Sequence, residues 1–322
     1  MPSLMIMQIR TYPYPQCHLC GSKGEWLYKE LTDQLFGVAG KWNLKICTNP
    51  VCGLVWLDPM PVSEDIGKLY QSYHTHGGPH FPKKDFKYLV KSVLKALLAR
   101  IPGANRQRWL SINQILQAHP PGRLLDVGCG NGRFIQEMKT CGWEVEGVDF
   151  DPKAIDKMRK QGLTVYAGDL RDIAYAQDTF DAITLSHVIE HLFNPIEILT
   201  ECKRILRPGG QLVVVTPNIN SWGQRRFKRH WRGLEPPRHL FLFSPRTLET
   251  IANKAGFDVQ QVFSTVRNTY IFSASLRLEK LSQNAKPSRF VTNKWILLFY
   301  EWLLMYKHPD SGEIAVLLAT KQ

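Results

Sequence analysis

The sequence predicts a doubly wound α/β fold, in which helices cover both faces of a mainly parallel sheet. The first observation is the stretch 124–132, where an apolar run leads into Gly128, Gly130 and Gly132. The second is Asp149, which ends the next strand-like segment of the chain. Glycines occupy places where a backbone turns sharply and a ligand comes close. A carboxylate after the second strand can accept two hydrogen bonds from the hydroxyls of a ribose. Together these features predict a site for a nucleoside-containing cofactor.

The spacing of the glycines separates one nucleoside cofactor from another. A dinucleotide motif, G-x-G-x-x-G, would need a glycine at position 133. This chain has Arg133 there and places its third glycine at position 132, which gives G-x-G-x-G. The loop therefore does not match a dinucleotide site.

Glycine and proline residues interrupt the apolar segments of the chain, and these interruptions predict where the remaining strands of the sheet begin and end. They are expected at residues 144–149, 163–166, 180–185, 211–216, 258–265 and 313–320. This ordered set resembles the class I S-adenosylmethionine-dependent methyltransferases over roughly residues 119 to 265 and the final strand. The resemblance implies a Rossmann-like, seven-stranded sheet in the order 3-2-1-4-5-7-6, with the last strand antiparallel. It also implies methyl transfer from S-adenosylmethionine.

The same resemblance assigns cofactor-binding residues. The glycine loop would line the methionyl part, Asp149 would hold the ribose, and Asp169 would accept a hydrogen bond from the adenine amine. The full implied set is Asp126, Gly128, Cys129, Gly130, Gly132, Asp149, Phe150, Asp169, Leu170 and Ser186. Two alternatives stay open: Phe150 as an ordinary core aromatic, and Asp169 as simple turn chemistry.

Four of the seven cysteines are spaced as two close pairs. Cys17 and Cys20 form the first pair, and Cys47 and Cys52 form the second. Two short cysteine loops are what a tetrahedral thiolate zinc site needs, and four thiolates leave no position open for a substrate. The sequence therefore predicts a structural zinc ion in a small zinc-ribbon-like module. A redox pair or ordinary thiols are the alternative.

The domain organisation predicted from these features has three parts. A cysteine-rich, zinc-ribbon-like module covers 1–62, a helical linker covers 63–118, and the cofactor-binding domain covers 119–322. The large domain carries an insertion at about 266–311, because the last two strands of the family pattern are separated here by some 45 residues.

Two apolar segments have more than one interpretation. Residues 86–101 show helical periodicity with lysines along one face, which suits either an anionic membrane surface or packing on the core. Residues 294–307 combine aromatic and aliphatic side chains between two lysines. That segment fits an interfacial helix, a dimer contact or a buried helix.

The amino-acid composition of the chain indicates which kinds of molecule it binds. The chain has 322 residues, 44% of them hydrophobic, and a formal net charge of +13. Such a charge favours an anionic partner, either a metabolite, a nucleic acid or a membrane surface. No apolar run approaches the roughly 20 residues that span a bilayer, and no secretory pattern is evident at residue 1. We therefore expect a cytoplasmic protein, with peripheral membrane contact as a further option.

The methyl acceptor should bind beyond the carboxyl ends of the fourth and fifth strands. Histidine is the natural base at neutral pH, so the candidate catalytic residues are His187, His191 and His239. A basic loop at 222–239 lies in the same region, and guanidinium groups bind phosphate oxygens. The candidate substrate-binding residues are Asn218, Arg225, Arg226, Arg229 and Arg238.

The phrases at 53–59 and 235–244 resemble methyltransferases that act on sugars and other small metabolites and those of the ubiquinone pathway. This implies methyl transfer to an oxygen or carbon of an anionic small molecule, such as a sugar nucleotide, a lipid-linked sugar or a quinone-like compound. Two alternatives are an RNA methyltransferase that uses its zinc module and basic surface to bind nucleic acid, and a non-catalytic protein that keeps the cofactor fold.

Overall fold

The computed structural model describes residues 9–70, 112–265, 269–283 and 307–322. Its strands are β1 (Thr11–Tyr12), β2 (Gly24–Leu31), β3 (Trp42–Cys47), β4 (Val55–Leu57), β5 (Met60–Pro61), β6 (Arg123–Val127), β7 (Glu144–Asp149), β8 (Thr164–Ala167), β9 (Phe180–Ser186), β10 (Leu206–Pro217), β11 (Phe241–Leu242), β12 (Asp258–Thr265) and β13 (Ile314–Thr320). The α-helices are Ile112–Leu116, Arg133–Thr140, Pro152–Lys160, Pro195–Ile205, Trp222–Phe227, Pro245–Lys254 and Thr269–Gln283.

A seven-stranded sheet forms the centre of the large domain. Its strand order is β12-β13-β10-β9-β6-β7-β8. The five strands from β8 to β10 in this order run parallel, whereas β13 is antiparallel to both of its neighbours, β10 and β12. Numbered along the chain, this is the order 3-2-1-4-5-7-6, so the predicted fold class is confirmed.

Burial explains why β6 is the central strand. Leu124 and Leu125 are fully buried, because helices cover both faces of the sheet and a central parallel strand is apolar on both sides. In the parallel pairing, Asp126 is opposite Gly147 on one side and Thr184 on the other. The carboxyl ends of β6, β7 and β9 therefore meet at one edge of the sheet. The segments that follow these strands form the site described below.

The starts of three helices differ in how the side chain at the N-cap is used. Asp151 accepts from the Lys153 amide at the start of Pro152–Lys160, and Ser244 forms a capping box at the start of Pro245–Lys254. Asn194 occupies the N-cap position of Pro195–Ile205, but its side chain makes no capping hydrogen bond. Its ψ of 72° lies well below the 167° of Ser244, so the backbone differs from that of a bonded cap.

The N-terminal module is built around a four-stranded antiparallel sheet with the order β11-β4-β3-β2. Three of these strands come from the cysteine-rich region. The fourth, β11, comes from the large domain, where Phe241 is opposite Trp56 and Leu242 is opposite Val55. The buried residues of the two regions form one hydrophobic cluster. The module and the large domain therefore share a sheet and a core.

Two expectations lie outside the described residues: the helix at 86–101 and the apolar segment at 294–306. In the linker expected over 63–118, the described residues form the 3₁₀ helix Ser63–Tyr70 and the α-helix Ile112–Leu116. None of the helices in the described ranges has the length and apolar character needed to cross a bilayer.

Candidate active site

The loop after β6 needs its glycines. Gly128, Gly130 and Gly132 have φ angles of 73°, 55° and 72°, a region that other residues rarely adopt. A Cβ at Gly128 would collide with Val188, and one at Gly132 would lie 2.7 Å from Met158 Sδ. Gly130 has open space on that side and lines a cavity. The loop therefore packs tightly against Val188 and Met158 on one side, while Gly130 faces the cavity on the other.

Asp149 closes this loop from the neighbouring strand. The amide of Gly130 donates to its Oδ2 at 2.8 Å, and the amide of Asp151 donates to its Oδ1 at 3.0 Å. The side chain is 7% exposed and lines the cavity, and each carboxylate oxygen keeps a lone pair for a further donor. This arrangement suits a vicinal diol.

The other residues expected near the cofactor divide into two groups. Phe150, Asp169 and Ser186 line the cavity together with Gly128, Gly130 and Asp149. Phe150 is 51% exposed, so it is not an ordinary core aromatic, and Asp169 is paired with Arg171 at 2.8 Å. The residues of the expected set that lie behind the cavity surface are Asp126, Cys129, Gly132 and Leu170.

Asp126 has an internal contact that explains its position. The hydroxyl of Thr184 donates to its Oδ1 at 2.7 Å, in full burial. Burial raises the pKa of Asp126 to about 7, against the opposing effect of that hydrogen bond. Asp126 thus braces β6 against β9 directly beneath the loop.

The cavity has a volume of about 1100 Å³ and extends from the glycine loop to a cluster of polar side chains. At that second end it is lined by His187, Glu190, His191, Arg232, Glu235 and His239. All three histidines expected to be catalytic are therefore brought to the cavity. A space of this size can hold a nucleoside cofactor and a small second ligand.

Glu190 lies at the centre of the histidine cluster. Its side chain is fully buried, the hydroxyl of Thr216 donates to its Oε2 at 3.0 Å, and Oε1 lies 3.4 Å from His187 Nδ1. Burial alone would raise the pKa of Glu190, but His187 and the nearby His191 and His239 lower it to about 2. The cluster therefore has a buried negative charge at neutral pH.

The three histidines differ in their surroundings. His187 is 41% exposed and has a left-handed φ of 58°, which turns its backbone sharply at the end of β9. His191 Nδ1 lies 3.0 Å from the carbonyl of Arg238 and 2.9 Å from the hydroxyl of Tyr70. His239 is buried, its Nδ1 donates to the carbonyl of Gly233 at 2.7 Å, and burial lowers its pKa to about 4. His187 is thus the most accessible imidazole of the cluster.

The same cluster has donors that could hold a metal ion. The ligand atoms of Glu190, His191 and His239 all lie within 4.8 Å of one another. Two imidazole nitrogens and one carboxylate form a donor set that suits a transition-metal ion better than magnesium.

The structure does not bring the expected substrate-binding residues to the cavity. Their polar groups are used elsewhere: Arg225 donates to the carbonyl of Asn220, Arg226 pairs with Glu279, Arg229 donates to the carbonyl of Lys29, Arg238 pairs with Asp33 and Glu235, and Asn218 donates to the carbonyls of Asp310 and Gly312. The local density of arginine did not reveal these partners, most of which are distant in sequence.

Sequence reasoning missed two residues of the cavity lining, Arg232 and Tyr70. Arg232 belongs to the same basic loop but lines the cavity, where it pairs with Glu235. The hydroxyl of Tyr70 forms a hydrogen bond with Nδ1 of His191. The ring of Tyr70 packs edge-on against the ring of Phe150, with centroids 5.0 Å apart. Tyr70 stands in the N-terminal third of the chain, with no motif around it. Its spatial neighbours come from residues 80 and more positions away, so no local signal pointed to it.

The four cysteines of the N-terminal module converge. Cys17 Sγ lies 3.6 Å from Cys52 Sγ, and Cys20 Sγ lies 3.4 Å from Cys47 Sγ. All four sulfur atoms lie within 4.8 Å of one another. Hydrogen bonds from Ser22 and neighbouring thiols outweigh burial and lower the pKa of Cys20 to about 6. A tetrahedral zinc ion with bonds of about 2.3 Å requires sulfur atoms about 3.8 Å apart, so these residues fit that ion.

The parallel sheet, the glycine loop and the carboxylate on the next strand define a nucleoside-cofactor enzyme of the doubly wound class. The family model described as "Methyltransferase domain" matches residues 86–262, more than half of the chain. The chain belongs to this family and is an S-adenosylmethionine-dependent methyltransferase.

Two named relatives and one solved structure are similar to this chain. An enzyme named ubiquinone biosynthesis O-methyltransferase from Cereibacter sphaeroides is 34% identical over 177 residues, which cover 50% of this chain and 70% of the relative. A biotin biosynthesis bifunctional protein from Cellvibrio japonicus is 25% identical over 84% of this chain and 53% of its own length. A SAM-dependent methyltransferase structure from Archaeoglobus fulgidus is 22% identical, with a TM-score of 0.46, covering 74% of this chain and 100% of that one.

Proposed function

We propose that the enzyme methylates a hydroxyl oxygen of a small-molecule acceptor, which binds at the histidine end of the cavity. The observation that carries this proposal is the continuity of the cavity from Asp149 to His187 and Glu190. A cofactor held at the glycine loop would direct its methyl group toward the histidines. The relatives named as O-methyltransferases support an oxygen as the acceptor atom.

At the cofactor end, Asp149 would accept from the ribose hydroxyls, and Phe150 would lie against the adenine. Gly128 and Gly130 would let the methionyl chain approach the backbone, with Asp126, Cys129, Gly132 and Leu170 supporting the loop from behind. Asp169 would accept from the adenine amine only in competition with Arg171. S-adenosylmethionine supplies an already electrophilic methyl group, so the protein has to align the acceptor and exclude water.

His187 is the best-placed base for the acceptor hydroxyl. In the tautomer with the proton on Nδ1, which lies 3.4 Å from Glu190 Oε1, the Nε2 of His187 has a lone pair that can take the hydroxyl proton. The acceptor oxygen then forms a bond to the methyl carbon while the sulfur–methyl bond breaks. The products are a methyl ether and S-adenosylhomocysteine, with the proton on His187. His239 is a weaker base, because burial lowers its pKa to about 4.

The charges at this end restrict the acceptor. Among the arginines of the loop 222–239, Arg232 lines the cavity, and it is paired with Glu235. A diphosphate would need more cations than this pair leaves available. Of the acceptors expected from the sequence, a quinone-like phenol with at most one acidic group therefore fits best.

Replacing His187 by glutamine should lower the rate of methyl transfer by about 100-fold or more, the range that a positioned general base contributes. Affinity for S-adenosylmethionine, measured by calorimetry, should stay unchanged. His119→Gln provides the control, because His119 is exposed and does not line the cavity. A rate in His187→Gln equal to that of the wild type would remove His187 from the mechanism.

The acceptor class can be tested with methyl-labelled S-adenosylmethionine and fractionated cell extract. We expect the label in small molecules, including phenolic compounds such as 3,4-dihydroxybenzoate when these are added. Label in RNA would instead support the nucleic-acid alternative, for which the charge of +13 is the main argument. The alternative of a non-catalytic protein conflicts with its membership of the methyltransferase family.

We also propose that Cys17, Cys20, Cys47 and Cys52 hold a structural zinc ion. The spacing of their sulfur atoms supports it, as does the position of the cluster away from the cavity. Four thiolates would complete the coordination of the ion and leave none for catalysis.

A further inference from the structure

One wall of the histidine end is a single stretch of chain, residues 232–239, which we call the wall segment. It contributes Arg232, Gly233, Glu235 and His239 to the cavity. The wall segment has little regular structure of its own, since its only helical part is the short 3₁₀ turn Arg232–Leu234. Its position must therefore depend on what packs behind it.

Arg238 lies behind the wall and is fully buried. Its Nη1 donates to Asp33 Oδ2 at 2.7 Å, and its Nε donates to Glu235 Oε1 at 2.9 Å. Its guanidinium also lies 4.4 Å from the ring of Phe36. Two of these three partners, Asp33 and Phe36, belong to the N-terminal module.

Asp33 is itself held firmly in the module. Its carboxylate accepts from the amides of Leu35 and Phe36 at 3.2 and 3.1 Å, which closes the turn after β2. The pair with Arg238 therefore joins a fixed turn of the module to the wall segment, across 205 residues of sequence.

The backbone continues this connection to the histidine cluster. The amide of Leu240 donates to the carbonyl of Glu190 at 2.8 Å, and the amide of Leu57 donates to the carbonyl of Leu240 at 2.9 Å. Residues 66–70, which follow the module, also reach the cavity through Ile66, Gly67 and Tyr70. The N-terminal region thus contributes to the site directly as well as from behind.

We propose that Arg238 is a positioning residue: through its pair with Asp33 it fixes the wall segment against the N-terminal module, so that the module shapes the acceptor end of the cavity. The identification of that end as the acceptor site rests on the proposed function. The contact between Arg238 and Asp33 does not depend on it. Under this proposal the N-terminal module takes part in acceptor binding. A zinc ribbon that served only to bind nucleic acid would have no such part.

Arg238→Met and Asp33→Asn test the proposal by hydrogen–deuterium exchange. We expect amide exchange at residues 232–240 to rise by about tenfold or more in both variants. Arg238→Met leaves buried Asp33 without its charged partner, and Asp33→Asn removes one of the two carboxylates that pair with buried Arg238. Affinity for S-adenosylhomocysteine should stay within about twofold of the wild type, because its expected site at Asp149 does not contact Arg238. With any acceptor that the labelling experiment identifies, KM should rise more than kcat falls.

Lys45→Met is the matched control. Lys45 and Asp58 form another ion pair of the same module, at 2.6 Å with side chains 12% and 7% exposed. Lys45 also lies over the ring of Trp26, and Asp58 accepts from the amide of Tyr14, so both side chains have partners within the module. This variant should lower the melting temperature without loosening residues 232–240.

Unchanged protection of the wall segment in Arg238→Met would overturn the proposal. Equal loosening in Lys45→Met would also overturn it, because general destabilisation of the module would then account for the effect. If no small-molecule acceptor is found, the proposed function fails, while exchange and S-adenosylhomocysteine binding still decide this proposal.

Discussion

Asp149→Ala is expected to abolish measurable binding of S-adenosylmethionine. The substitution removes the proposed acceptor for the ribose hydroxyls and also the acceptor for the Gly130 amide, which holds the loop after β6 in place. Hydrogen bonds to a charged group contribute about 1.5–3 kcal/mol each. The loss of two such bonds predicts an affinity reduced by more than about 100-fold. Isothermal titration calorimetry with S-adenosylmethionine and S-adenosylhomocysteine measures this directly.

Asp156→Ala is a suitable control for that experiment. Asp156 is exposed on the helix Pro152–Lys160, close to the site in sequence, but it does not line the cavity. Its replacement should leave affinity unchanged. If Asp149→Ala bound the cofactor as tightly as the wild type does, the ribose would have to be held by another group. Circular dichroism should show that both variants keep the fold, since Asp149 lies at a strand end.

Local patterns predicted the central sheet because each of its strands carries its own signal. The strand at 258–265 was expected with the bounds that the structure has, and the last strand differs by one residue. The histidine cluster was also predictable, because His187 and His191 directly follow β9, at the edge of the sheet where ligands bind. His239 came from a motif that the family resemblance supplied.

The positions of the arginine side chains could not be predicted in the same way. A long charged side chain turns toward its partner, and the partner of Arg238 is Asp33, 205 residues away. Arg226 likewise turns to Glu279. The sequence suggested Arg226 as a substrate-binding residue, but this pair lies outside the cavity lining, so we expect Arg226→Ala to have a small effect on use of the acceptor.

The four-stranded sheet shared by the module and the large domain could not be predicted from the sequence, for a related reason. β11 has only two residues, too few for a periodic pattern, and it becomes a strand because Val55 and Trp56 offer it an edge. Boundaries at 62 and 118 therefore describe where sequence composition changes. Packing crosses them through β11, Arg238 and Tyr70.

Removal of the cysteine cluster should have the second large effect. We expect purified protein to contain about one zinc ion per chain by mass spectrometry, and Cys47→Ser to lose it together with much of the stability of the module. Cys47 ends β3, and its amide donates to the carbonyl of Leu54, so the ion would clamp the turn between β3 and β4. Cobalt substitution gives a second readout, because a tetrahedral thiolate site has characteristic visible absorption bands.

Cys202→Ser distinguishes loss of a metal ligand from loss of a buried thiol. Cys202 is fully buried in the large domain, so this variant should lose some stability and keep its zinc. Equal zinc content in Cys47→Ser and the wild type would contradict the cysteine assignment. Because His18, between the first two cysteines, packs 5.0 Å from Phe241 of β11, loss of zinc should loosen β11 as well. Chelation should therefore raise exchange at residues 232–242 while the loop at 128–132 stays protected. That pattern would connect the cysteine cluster to the acceptor end of the cavity and separate it from the cofactor end.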